Sequence, residues 1–283
     1  MKEGYPYYIE LDRSVGEDFS EYEFDAQGVP MVRFQRSKQW RHNPVTVCQY
    51  ALNHYNNLLQ SGELEHRVKF ISQADWLMKN HDTGPDDSAV WPYRIDIPFY
   101  GLKSPWISGM AQGEAISVLL RAHLLTGQGK YMEMAERSWR LFSKPDVFIS
   151  SFPDGGTVIE EYPTQSCSCV LNGFILSLFG VYDYHRFTGE ETASHLFGEC
   201  VESLKNNLFR YDTGHWSLYD LYPPLRLTSR SYHRLHLRLL KALFLITGET
   251  YFEETRIRWE GYLSRPISNL SWAFQKIKQR MTL

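Results

Sequence analysis

Four glycines set the ground plan of this chain. Gly62, Gly127, Gly189 and Gly248 each follow a run of helical period and precede another, and they are 65, 62 and 59 residues apart. A glycine directly after the last apolar residue of a helix suits the left-handed cap that ends it. Before the caps stand Val47, Tyr50, Ala51, Tyr55 and Leu58; Ala115, Val118, Leu119, Ala122 and Leu125; Leu171, Phe174, Leu178 and Tyr182; and Leu235, Leu239, Ala242 and Ile246. After them come Val68, Ile71, Trp76 and Leu77, then Tyr131, Met134, Ala135 and Leu141, then Leu196, Phe197, Cys200, Val201 and Leu204, then Phe252, Thr255, Trp259 and Tyr262. Helical hairpins recurring every 60 residues or so imply a mainly α protein, an (α/α) barrel or toroid of four hairpins. The expected division is an N-terminal β arm at 1–42, the barrel at 43–265 and a helical tail at 266–283.

The arm reads as strands and turns. Tyr7–Leu11 has strand character, and Tyr22-Glu23-Phe24 and Val29–Phe34 flank the turn Asp25-Ala26-Gln27-Gly28. Such an arm packs on the barrel and offers a surface for self-association as a homodimer.

Connections within the hairpins are tight, whereas those between them are long, at about 81–107, 144–167 and 210–229. Long connections in a compact fold carry function. In this topology they share one end with the N-termini of the first helices, whose free N–H groups favour an anion. One connection holds Glu160-Glu161-Tyr162-Pro163, where Pro163 drives Tyr162 toward extended backbone and lets it reach across a cleft. The plainer reading is an acidic loop capping the helix that follows. The other connections supply Tyr93, Arg94, Asp96, Trp106 and Gln112, then His215, Tyr219 and Asp220, and Arg230, Tyr232, His233 and His236 open the last hairpin. Aromatic rings mixed with amide, guanidinium and imidazole groups suit a sugar-binding cleft.

Composition removes several classes. The net charge of −3 gives no basic excess for nucleic acid. No stretch of about 20 apolar residues is present to span a membrane, and no apolar leader opens the chain, so a cytoplasmic location is expected. Cys48, Cys167, Cys169 and Cys200 do not form a disulfide framework in a chain this size, and Cys167-x-Cys169 lacks the two-residue gap of a zinc knuckle. His233 and His236 at i, i+3 have the spacing of a metal pair, but capping or core roles suit them better; no metal is expected.

The motifs Glu160-Glu161-Tyr162-Pro163, Val170-Leu171-Asn172-Gly173-Phe174, Met110-Ala111-Gln112-Gly113 with Ile116-Ser117, Leu218-Tyr219-Asp220-Leu221 and Tyr232-His233 with His236 resemble the heparosan-type D-glucuronyl C5-epimerase family over about residues 90–263. The resemblance implies an (α/α) barrel with a β-rich N-terminal part, no cofactor, and conversion of D-glucuronate to L-iduronate within an anionic, heparosan-like polysaccharide. It places Glu161, Tyr162, Tyr219 and Tyr232 in the catalytic set. Epimerisation at C5 needs a proton removed from one face of the sugar and returned to the other, by groups on separate segments. Glu161 and Tyr232 are the expected pair, with positive charge for the phenol supplied by Arg230, Arg234, His233 or His236. Gln112, Asn172, Arg230, His236, Trp106 and Tyr93 are the expected substrate contacts. One departure stands out: the animal members carry Arg-His after Tyr-Asp-Leu, where this chain has Tyr222-Pro223, leaving Arg226 or Arg230 to meet the substrate carboxylate. Other readings are a uronan lyase, a glycoside hydrolase pairing Glu161 with Asp96 or Asp220, and a non-catalytic oligosaccharide-binding protein.

Overall fold

The computed structural model describes residues 5–12, 19–33, 39–144 and 147–282. Four helical hairpins form the body: α1 (Pro44–Ser61) with α2 (Leu64–Lys79), α3 (Gly109–Thr126) with α4 (Gly129–Trp139), α5 (Leu171–Thr188) with α6 (Glu191–Asn207), and α7 (Arg230–Thr247) with α8 (Thr250–Ser264). The first helix of each pair is 18 residues long, about 27 Å at 1.5 Å per residue. Each ends on one of the four repeat glycines, with φ of 70° to 74°, where a side chain would be strained. These inner helices pack side by side in the order α1, α3, α5, α7, and each outer helix covers its own partner. The result is an (α/α) toroid. Its tightest contact joins α3 and α5, where a Cβ on Gly180 would stand 2.1 Å from the Gly113 carbonyl oxygen. A ninth helix, α9 (Pro266–Thr282), follows α8 after Arg265 and hydrogen-bonds back to the body through Trp272, whose indole donates to the Thr228 carbonyl at 2.9 Å.

Two details of the helical reading change. Val68 sits on α2 but is 68% exposed, and the buried face is instead Phe70, Gln73, Ala74 and Leu77. Cys167 and Cys169 are joined to each other, while Cys48 and Cys200 are free and buried.

The β elements are small. β1 (Glu23–Phe24), β2 (Pro30–Arg33) and β3 (Trp40–His42) form an antiparallel sheet, with Glu23 opposite Met31 and Met31 opposite His42. The Asp25–Gly28 turn forms as expected, with Asp25 Oδ1 accepting from the amides of Gln27 and Val29; the expected strand end at Phe34 lies outside the described residues. Hairpins β4–β5 (Asp82–Thr83, Ala89–Val90) and β6–β7 (Ile149–Ser151, Thr157–Ile159) stiffen two of the long connections.

Tyr7–Leu11 is not a strand. It alternates as a strand would, with Tyr7, Ile9 and Leu11 buried, but no strand pairs with it among the described residues. Asn56 of α1 satisfies its backbone instead, accepting from the Tyr7 amide at 2.7 Å and donating to the Tyr7 and Ile9 carbonyls. The segment crosses the end of the toroid where the inner helices finish. There Arg121 of α3 meets Asp183 of α5 at 2.5 Å, both fully buried, and Arg121 also donates to the Pro6 carbonyl. Arg238 of α7 bonds Glu10 and Asp12 from the other side. This segment is the floor. No helix among the described residues is long and apolar enough to cross a membrane.

Candidate active site

A cavity of about 740 Å³ opens at the opposite end, where the inner helices begin. Asn43, Ser108 and Ser229 stand on its wall, and each side chain accepts an amide of its own helix. Such caps stabilise each helix by about 1 kcal/mol, and they leave the positive ends of the inner helices facing the cavity. At α5 no side chain caps the helix, and the Glu161 side chain lies against its first turn instead. A Cβ on Gly173 would sit 2.4 Å from Glu161 Oε2, so glycine is what allows this approach.

The two adjacent glutamates have opposite environments. Glu160 is 1% exposed. Its carboxylate accepts from Ser150 Oγ at 2.8 Å, Ser168 N at 3.1 Å, Ser168 Oγ at 2.5 Å and Cys169 N at 2.9 Å. Ser168 Oγ also reaches the Tyr162 carbonyl, and the Tyr211 phenol donates to the Cys169 carbonyl. Glu160 therefore clasps the loop on both sides of Glu161 and Tyr162. Cys167 and Cys169 lie within the same clasp, and their sulfurs are bonded to each other.

Glu161 lines the cavity with Tyr162, Tyr219 and Tyr232, so the structure brings the four expected catalytic residues around one cavity. Tyr219 is tied to the Glu161 segment by backbone: its carbonyl accepts from the Leu171 amide at 3.1 Å. Tyr232, in the first turn of α7, meets the Tyr219 ring edge-on at 5.5 Å. Burial lifts the Glu161 carboxyl to about 7; a hydrogen bond from Tyr162 and the charge of Arg226 partly oppose this, and Asp220 adds to it. Burial, and then the nearness of Glu161, pushes the Tyr162 and Tyr219 phenols well above their usual range, so both are proton donors at neutral pH.

Of the expected substrate contacts, Asn172, Trp106 and Tyr93 are on the wall. Tyr93 and Trp106 stack at 4.3 Å and 10°, and Tyr100 stacks on Tyr162 at 4.3 Å. Gln112, Arg230 and His236 are not on it. Gln112 is fully buried and donates to the Ala89 carbonyl, fixing β5 to α3. Arg230 donates to Asn269 at 2.6 Å and lies over Trp272, which joins α7 to α9. His236 and His233 share the Ser217 hydroxyl, at 3.1 and 2.7 Å, deep in the core. Burial lowers them to about 3 and about 4, so these imidazoles carry no charge to the cavity. Arg234 is likewise outside the wall and exposed.

The cationic role falls to Arg226. Its guanidinium lines the cavity, pairs with the buried Asp220, donates to the Tyr100 phenol and lies 4.0 Å from the Phe99 ring centre. Residues that sequence reasoning passed over are Gln49 of α1, Tyr100, Arg33 of β2 and Lys276 of α9. Only Arg226 carried a signal, the missing arginine after Leu221; nothing local shows that α9 reaches the mouth. Glu161 is the only carboxylate on the cavity wall among the described residues. Three atoms there are buried without a protein hydrogen-bond partner: Glu161 Oε2, Asn172 Oδ1 and Arg226 Nε.

Fold and site define a helical toroid whose mouth, among the described residues, holds one carboxylate with tyrosines and an arginine. Residues 85–261 match the family described as D-glucuronyl C5-epimerase C-terminus, and the chain belongs to that family. It is 35% identical over 221 residues to a D-glucuronyl C5-epimerase of Caenorhabditis elegans, a match covering 70% of this chain and 35% of the worm protein. It is 27% identical over 201 residues to an uncharacterised protein of Methanocaldococcus jannaschii, covering 67% of this chain and 63% of that one. The chain thus spans about a third of one relative's length and under two thirds of the other's. Among solved structures, the GH76 α-mannanase BT2949 of Bacteroides thetaiotaomicron superposes with a TM-score of 0.54 at 10% identity, covering 83% of this chain and 62% of that one. The family 76 glycoside hydrolase (mannosidase) Bt3792 of the same species gives 0.51 at 10% identity, over 80% and 60% of the two chains. At such identity the likeness is one of fold alone.

Proposed function

We propose that the chain is a uronyl C5-epimerase that converts D-glucuronate to L-iduronate within a heparosan-like polysaccharide. One observation carries the reading: Glu161, whose carboxyl burial raises to about 7, is the only acid among the described residues of a cavity whose other polar lining is phenols, hydroxyls, amides and cations. Ionised Glu161 takes the C5 proton. The electron pair left on C5 spreads into the adjoining carboxylate, whose growing charge meets the Arg226 guanidinium and the helix N-termini. The Tyr232 phenol returns a proton to C5 from the opposite face, while Tyr162 and Tyr219, held protonated, donate to substrate oxygens. The half-cycle ends with Glu161 protonated and Tyr232 ionised, and the two re-equilibrate with solvent.

A glycoside hydrolase needs two carboxyl groups flanking one bond. Asp96 is on the surface with Lys103 and the Ser104 amide, and Asp220 is engaged by Arg226 behind the wall, so neither is offered as a partner to Glu161.

The test is incubation with N-acetylheparosan in deuterated water, followed by NMR. Deuterium at C5 with unchanged chain length and new iduronate signals is expected. An unsaturated uronate absorbing in the ultraviolet marks a lyase, new saturated reducing ends mark a hydrolase, and either outcome replaces this reading.

A further inference from the structure

The Tyr93–Trp106 stack is a partition. Both rings face the main cavity, and the other side of Tyr93 opens on a second depression of about 310 Å³. Arg41, Trp76, Asn80, Trp91 and Arg94 are among the residues around it, and no carboxylate is. The Arg41 guanidinium bonds only neutral oxygens among the described residues, Gln39 Oε1 at 2.8 Å and the Arg94 carbonyl at 3.4 Å. Arg94 pairs with Asp82 at 2.5 Å on the exposed rim, and His42 with Asp25 at 2.9 Å. Among the described residues Arg41 is therefore a cation with no carboxylate bonded to it, and it lines the same groove as the half-buried indole of Trp76, on which His42 packs at 5.3 Å. A guanidinium and an indole lining one groove fit a sugar that carries an anion: the ring covers the pyranose and the fork takes the charge. Arg41, Trp76 and Asn80 all precede residue 85, where the family match begins.

We propose that this groove is a flanking subsite for a second anionic sugar of the same polysaccharide chain, reached across Tyr93 from the residue at Glu161. The proposal rests on reading the mouth as a uronate site. The main cavity would then take one uronate, and the groove a uronate or N-sulfated glucosamine further along, so affinity rises with chain length through charge.

Calorimetric titration of the full chain with heparosan disaccharide, which carries one uronate, and decasaccharide at one ionic strength tests it, with C5 deuterium exchange followed separately. The decasaccharide should bind about threefold to tenfold more tightly, the worth of an exposed charge-assisted contact. Arg41→Ala should abolish that gain and Arg41→Lys should retain part of it. Because Arg41 is exposed, its loss leaves the core intact; Trp76→Phe is the second variant and should retain the gain only in part. Equal affinity for the two lengths, or a gain that survives Arg41→Ala, overturns the subsite even if C5 exchange proceeds. Length-dependent binding that Arg41→Ala removes, without C5 exchange, keeps the subsite and overturns the epimerase reading. No binding at either length overturns both.

Discussion

The two ends of the toroid use the same groups for opposite purposes. At the floor, Asp183 is 0% exposed and fully matched: Tyr8 donates at 2.5 Å, Ser117 at 2.6 Å and Arg121 at 2.5 and 3.3 Å. Arg121 is enclosed by the rings of Tyr5, Tyr7, Tyr8 and Tyr55 at 5.3 to 5.8 Å. At the mouth, a carboxylate, an arginine and tyrosines again converge, but here the carboxylate itself is left open: among the described residues Glu161 Oε2, Arg226 Nε and Asn172 Oδ1 are buried without a partner, whereas at the floor Arg121 Nε and the Tyr7 hydroxyl lack one while both Asp183 oxygens are matched. A closed polar network fixes a structure, and an open one is costly unless something else completes it. The floor is a structural lock. The mouth is left to be completed by a ligand.

The largest effect should separate the two ends in kind. Glu161→Gln removes the proposed base and should lower C5 exchange at least about a thousandfold, within the range for a general base. Its thermal midpoint should stay level or rise, because a buried carboxyl that is costly to ionise is replaced by a neutral amide. Exchange monitored by NMR beside a melting curve reads both, and an active Glu161→Gln enzyme ends the contrast. Asp183→Ala should do the reverse. It leaves Arg121 buried and unpaired, a loss of about 3–5 kcal/mol, while the protein that remains folded keeps its exchange rate. Denaturant unfolding measures this, and a loss under about 1 kcal/mol would mean the floor is not the lock described.

That division was only partly legible in the sequence. The four capping glycines were, because the left-handed backbone they adopt is open to few other residues. The mouth was legible as a place, since long connections and inner-helix N-termini must share one end. It was less legible as a list. Gln112 and His236 are polar residues at the start or middle of inner helices, as site residues would be, but each turns to a neighbour in the core. Their local sequence cannot reveal that choice. Tyr7–Leu11 has the period of a strand because alternate residues are buried, yet an asparagine side chain takes the place of a partner strand. Lys276 reaches the cavity from α9 across a distance that no local pattern encodes.

Gly173→Ala tests how finely the mouth is set. The added methyl would meet the Glu161 side chain, with Oε2 at 2.4 Å and Cβ at 2.5 Å, and the loop carrying Glu161 is held by Glu160 and cannot simply retreat. A shift of about 1 Å in a reacting group costs on the order of a hundredfold, so kcat should fall by that much with KM moving far less. Farther along α5, Gly180→Ala strikes the Gly113 backbone of α3 and should appear in unfolding rather than in kcat. Identical behaviour of the two variants would erase the distinction between site and scaffold glycines.

The smallest effect is in pH, and its sign distinguishes the ends most directly. Glu161 must be ionised to act as a base, and its carboxyl is raised from 4.5 to about 7. Exchange should therefore climb about tenfold per unit below pH 7 and level off above it. Stability should move the other way. The folded state holds this proton more tightly than the unfolded state, so Glu161 favours folding below about pH 4.5 and loses that contribution as pH rises through about 7. Glu161→Gln should flatten that descent in urea midpoints measured between pH 5 and pH 8. Asp183→Asn should leave both the descent and the acid limb of exchange in place, since Asp183 is at the opposite end of the toroid and does not line the cavity. A wild-type midpoint that rises across that interval, or a descent that survives Glu161→Gln, would assign the cost of ionisation to some other buried acid and remove the reason to place the base at Glu161.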